Sequence, residues 1–62
     1  MKVGDLVRVP GWQLKRSAWS WHQDFGVGVI FEMTPYAVHV RWSNGRYLAY
    51  KMSTAHLLEV IT

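Results

Sequence analysis

Apolar and polar positions alternate with a period of two along Val38-His39-Val40-Arg41-Trp42, and again beyond Asn44-Gly45 in Arg46-Tyr47-Leu48-Ala49-Tyr50. A two-residue period places alternate side chains on opposite faces of a half-buried strand. Asn and Gly both tolerate positive φ, so Asn-Gly between two such runs is a strong hairpin signal. The pattern predicts strands over 37–42 and 46–52. Val38, Val40 and Trp42 share the buried face of the first, and His39 and Arg41 lie on the other.

The same logic predicts a first strand over 3–9, with Gly4-Asp5 as a turn at its start and Val7 and Val9 on one face. Pro10-Gly11 ends it, because proline cannot donate to a ladder. Residues 10–24 form the longest irregular segment. A second strand follows over 25–32, in which Gly26 and Gly28 mark a bend or a close backbone approach. Met33-Thr34-Pro35-Tyr36 connects it to the third. Ser53-Thr54-Ala55-His56 has the length of one 3₁₀ turn with Ser53 as its cap, and residues 57–61 complete the set. The expected fold is all-β, a single SH3-like five-stranded barrel over residues 1–62, with a long first loop and a 3₁₀ turn before the last strand. An OB-type barrel, with longer strands and a helix after the third, is the nearest competitor.

Size sharpens this picture. A 62-residue chain buries only about 60% of the surface its unfolded form exposes, and with no cysteine it has no disulfide to compensate. Its material for a core is aromatic: four Trp, three Tyr and two Phe. Each ring can bury about 150–250 Å². Nine rings exceed what one small core needs, so some are expected on a binding or self-association surface. The net charge of +3 and pI near 9.7 mildly favour acidic partners such as nucleic acid. No apolar run approaches the ~20 residues of a membrane span, and Met1-Lys2-Val3-Gly4-Asp5 leads into a strand rather than a signal sequence. The expectation is a whole small gene product in the cytoplasm with no membrane partner.

Val3-Gly4-Asp5-Leu6-Val7-Arg8-Val9 resembles the opening strand of many SH3-like barrels, KOW and Tudor modules among them. Gly28-Val29, Val38-x-Val40-x-Trp42-x-Asn44-Gly45, Tyr50 and Leu58-x-Val60-Ile61 together resemble the Mind bomb type of SH3-like domain. They are also similar to small SH3-like proteins of bacteriophages. These motifs reach most of the chain except residues 10–24. The resemblance implies the fold, and it implies a phage or bacterial accessory protein, acting in the host cytoplasm if phage-encoded. It leaves the activity open, because this barrel carries unrelated functions. Plasmid-encoded type II dihydrofolate reductases also share the Gly4-Asp5-x-Val7-Arg8 opening and a strand ending at Tyr50. Their Val-Gln-Ile-Tyr segment aligns with Tyr47-Leu48-Ala49-Tyr50, which lacks the substrate-orienting glutamine.

Four groups of residues are candidates for chemistry. The first loop carries Trp12, Lys15, Arg16, Trp19, Trp21 and His22, which together with Tyr36 and Tyr47 can grip an extended peptide. The same rings can stack on bases while Lys15 and Arg16 neutralise phosphate. The bland alternative is that Trp19 and Trp21 fold back to cap the core. Trp21, Tyr36, Trp42 and Tyr47, with Asp24 or Asn44, form a conceivable cage for a methylated cation, although alternation puts Trp42 in the core. His39, Arg41, Arg46 and Lys51 form a possible basic stripe for a phosphate backbone, or simply a solvated face. His22, His39 and His56 lack metal-ligand spacing, and Asp5, Asp24, Glu32 and Glu59 offer no evident acid–base pair. The reading is a non-catalytic binding module with no cofactor and no metal. A protein partner on the aromatic loop leads, nucleic acid at Lys15, Arg16, Arg41, Arg46 and Lys51 follows, and a homo-oligomer is third.

Overall fold

The computed structural model describes residues 1–15 and 19–61. Five strands, β1 (Leu6–Arg8), β2 (Gly28–Met33), β3 (Ala37–Trp42), β4 (Tyr47–Lys51) and β5 (Glu59–Ile61), form one antiparallel sheet in the order β4-β3-β2-β1-β5. Among the described residues no ladder joins β4 to β5. The expected barrel is therefore met in its five antiparallel strands, while the ring of strands is not closed.

The β3–β4 hairpin has the predicted alternation but a longer turn. Gly45 is left-handed at φ +92°, whereas Asn44 is not. The Gly45 amide donates to the Trp42 carbonyl and the Trp42 amide to the Arg46 carbonyl. The connection is thus a three-residue loop, Ser43-Asn44-Gly45, with glycine in the left-handed position that such loops require. Asn44 contributes through its side chain, whose Oδ1 accepts from the Arg46 amide at 3.0 Å.

Strand β1 is shorter than expected. Lys2 to Asp5 form a tight turn, in which the Asp5 carboxylate accepts from the Lys2 amide at 2.9 Å and Gly4 adopts φ +95°. The segment predicted to be irregular folds into a single helical turn α1 (Gly11–Leu14) after Pro10, and a 3₁₀ turn at Ser20–His22. Before β5 the chain makes a turn of α-helix, α2 (Met52–Ala55), instead of the predicted 3₁₀ turn. Lys51, not Ser53, occupies the cap position, and no side chain caps it.

The core lies against one face of the sheet. Val7, Ile30, Val38, Val40 and Trp42 are its most deeply buried side chains, and Val9, Trp19, Phe25, Tyr50, Ala55 and Leu58 complete it. Trp42 is 1% exposed and lies directly over Gly28. A Cβ at residue 28 would sit 2.5 Å from Val40 Cγ1 and 2.8 Å from Trp42 Cε3. The glycine is needed here for the ring's close approach to the neighbouring strand.

Gly28→Ala is expected to lower stability by about 1–3 kcal/mol, the usual cost of overpacking a filled core. Gly11→Ala, where an added Cβ meets nothing, should leave the melting temperature within a few degrees of the parent. Thermal melts of the two variants check this, and equal melting temperatures would contradict the packing at Gly28.

Candidate functional site

The first-loop residues divide between core and surface. Trp12 and Trp21 are exposed, as is Lys15 at the end of α1. Trp19 and His22, two of the predicted surface residues, are instead buried. Arg16 lies outside the described residues. The 3₁₀ turn folds His22 inward between two indoles: its ring centroid is 4.6 Å from that of Trp19 and 3.8 Å from that of Trp21. Trp19 also stacks on Tyr50 at 5.7 Å. Trp21 thus roofs His22 while keeping part of its ring in solvent.

Beneath these rings is a hydrogen-bond chain. Trp42 Nε1 can only donate, and it donates to the Tyr50 hydroxyl at 3.1 Å. The Tyr50 oxygen also lies 2.9 Å from His22 Nε2. The direction of this bond depends on the imidazole tautomer: when the hydroxyl donates to Nε2 the ring proton sits on Nδ1, and when Nε2 donates Nδ1 is a bare acceptor. That nitrogen is buried and has no hydrogen-bond partner among the described residues, as is Gln13 Oε1. Burial pushes His22 below the ordinary histidine value of 6.5, with the Trp19 backbone offsetting part of the effect. Burial pushes Tyr50 up to about 12, against the opposing hydrogen bond from Trp42.

The outer face of the sheet is less polar than strand alternation implies. Leu6, Val29, Arg41 and Tyr47 stand in one cross-strand row, joined by the pairings Leu6–Val29, Val29–Arg41 and Arg41–Tyr47. The β2–β3 register then shifts between Ile30 and Glu32. Such a bulge lets two successive residues face the same side, and here Phe31 and Glu32 are both exposed while Ile30 and Met33 point toward the core. Phe31 reaches across β3. Its ring centroid is 6.0 Å from His39 and 5.5 Å from Tyr47. Phe31 is 43% exposed and Tyr47 62%. Beside this cluster, Val27, Val29, Arg41, Ser43 and Gly45 line an open groove of about 350 Å³.

The remaining candidates are scattered. Tyr36 is 81% exposed but sits at the opposite end of β3 from Tyr47, since Ala37 pairs with Lys51 and Arg41 with Tyr47. Trp42 is buried, so Trp21, Tyr36, Trp42 and Tyr47 do not converge on a cage. The basic stripe also splits: Arg41 and Lys51 face outward, whereas the Arg46 guanidinium lies over the Phe25 ring at 5.9 Å. His22 is buried, His39 is on the outer face, and His56 follows α2. Among the described residues no three His, Cys, Asp or Glu side chains are grouped so as to hold a metal ion. No helix of the described residues is long and apolar enough to cross a membrane.

Phe31 was absent from the sequence-predicted site. Its signal was the run Val27-Gly28-Val29-Ile30-Phe31, in which both faces of the strand are apolar instead of one. Searches against protein-family models, curated proteins and solved structures find no match to this chain. The site is therefore defined by its own geometry.

Tyr50→Phe leaves Trp42 Nε1–H and His22 Nε2 without their partner and is expected to cost about 1–3 kcal/mol. The pH dependence follows from the two shifts. His22 binds its proton less readily when folded, so its contribution is complete above pH 6.5 and is lost as pH falls from there through the lowered folded value. Tyr50 contributes fully below pH 10, and that contribution is lost as pH rises from 10 to about 12. Melting temperatures of the parent and His22→Gln between pH 5 and 8 check the acid limb, which the variant should flatten.

Proposed function

We propose that this chain is a small non-catalytic binding module on an SH3-like barrel, and that its binding surface is the outer face of the sheet. The strand order β4-β3-β2-β1-β5, the long β1–β2 connection and the helical turn before β5 are in keeping with that barrel. One observation carries the functional reading. Phe31, His39 and Tyr47, from three adjacent strands, meet on the outer face of the sheet, where Phe31 and Tyr47 stay exposed. Contiguous exposed apolar surface is costly for a small protein and marks places where something docks. The setting we propose is a phage or bacterial accessory protein in the cytoplasm.

A second reading places a protein partner on the loop end. It is favoured by Trp12 and Trp21, which stay exposed although their neighbour Trp19 is buried. Trp21 adjoins the hairpin end, where its ring meets Phe25 edge-on at 5.3 Å and Arg46 overlies the same Phe25.

Selection of ligands from a random peptide display and from a random single-stranded oligonucleotide pool separates the two surfaces. Ligands of the sheet face should lose at least about tenfold in affinity to a Phe31→Ser/Tyr47→Ser double variant and none to Trp12→Ser. The double variant should keep its melting temperature within a few degrees, because neither side chain belongs to the core. Ligands that respond to Trp12→Ser alone would move the site to the loop end.

A further inference from the structure

We propose that the outer sheet face binds single-stranded nucleic acid, with bases stacking on Phe31, His39 and Tyr47 and phosphates neutralised by Arg41 and Lys51. This rests on the reading of that face as the binding surface and names its ligand. The ring geometry is the first argument. Phe31 is tilted 60° to His39 and 76° to Tyr47. None of the three is stacked in parallel on another, so ring faces remain available to a planar partner. Unpaired bases offer π-faces whatever their sequence, and aromatic side chains projecting from a sheet surface are a recurring platform for them.

Charge is the second argument. Arg8 is held by Glu59 at 2.6 Å, so its charge is already matched. Arg41 and Lys51 are exposed on the same face as the rings and have no carboxylate in salt-bridge reach among the described residues. They bracket the ring cluster: Arg41 pairs with Tyr47, and Lys51 lies four residues along β4, about 13 Å away at the usual strand rise. Ala49, opposite His39, leaves the surface between them low. Glu32, beside His39, is the one carboxylate in this part of the face. It lies in the row with His39 and Ala49, between the rows of Arg41 and Lys51, and two cations against one carboxylate leave this part of the face net positive.

An apolar protein partner needs the rings but not the two unmatched cations. Duplex DNA needs the cations but keeps its bases stacked out of reach of the rings. A single strand uses both. The groove along Val27, Val29 and Arg41 continues the surface from the rings to the hairpin loop, giving the strand a path past Arg41.

The test is fluorescence anisotropy of a labelled twelve-nucleotide oligothymidine, with its duplex as comparison, at 50 and 200 mM salt. Two neutralised phosphates predict a slope of log affinity against log salt near −1.4, which is about a sevenfold loss over that range. Arg41→Gln should halve that slope. Tyr47→Ser should weaken binding by at least about fivefold, the lower limit for one stacked base, while Trp12→Ser leaves it unchanged. Binding of the single strand at least about tenfold tighter than the duplex supports the proposal. Equal affinity for duplex and single strand overturns it, as does indifference to Tyr47→Ser with the fold retained. So does a dimer in sedimentation that dissociates in the Phe31→Ser/Tyr47→Ser double variant, because a second copy would then own the face. If no oligonucleotide binds but a selected peptide does so through Phe31 and Tyr47, the nucleic-acid proposal falls and the binding-module reading stands.

Discussion

The rest of the structure depends on how Trp42 lies against Gly28. The indole is the largest fully buried side chain, and it reaches that position only because the facing strand offers bare backbone at the point of contact. Its nitrogen, once buried, needs an acceptor, and the Tyr50 hydroxyl supplies one. Tyr50 in turn needs His22, which draws the 3₁₀ turn onto the open side of the core and brings Trp19 with it. One close approach between β2 and β3 thus determines where the irregular first segment must go. It also explains how so short a chain closes a core without a disulfide: four aromatic rings and a histidine fill the space that aliphatic side chains leave.

That solution consumes Trp19 and His22 and separates two kinds of surface. At the loop end, Trp21 still shows part of its ring because it roofs a buried imidazole, so its exposure belongs to the core's architecture. On the far side of the sheet Phe31 is no part of the core. The bulge after Ile30 keeps Met33 in phase with the core while adding an outward residue to β2. Its ring meets His39 and Tyr47 on that same face, and this cross-strand cluster is why the outer face, and not the loop, is the stronger candidate for a ligand.

Much of the fold was legible in the residues. The limits of β3, the inward set Val38, Val40 and Trp42, and the pairing of Val7 with Val9 all follow from period-two alternation, because a half-buried strand must separate its faces. The close approach at Gly28 was also visible as glycine within a run rich in β-formers. The site was legible only in part. Arg41, His39 and Lys51 were placed outward, and Tyr47 was singled out, but Phe31 was missed and the cage and the four-residue basic stripe do not assemble. Those groupings joined residues near in sequence or similar in type, whereas contact across a sheet depends on register.

By itself, then, the sequence determined the strand count, the order of the strands along the chain, the hairpin at Asn44-Gly45 and which side of β3 faces the core. These follow from local rules: alternation, turn chemistry and the exclusion of proline from ladders. Only the tertiary structure decided which tryptophans are withdrawn, where the bulge falls, and that Phe31, His39 and Tyr47 meet. Burial of Trp19 depends on a hydrogen-bond chain to Tyr50, 31 positions away. The ring cluster depends on a one-residue shift between β2 and β3. A strand's own pattern says which face a side chain takes, but its neighbours' register decides what it touches there.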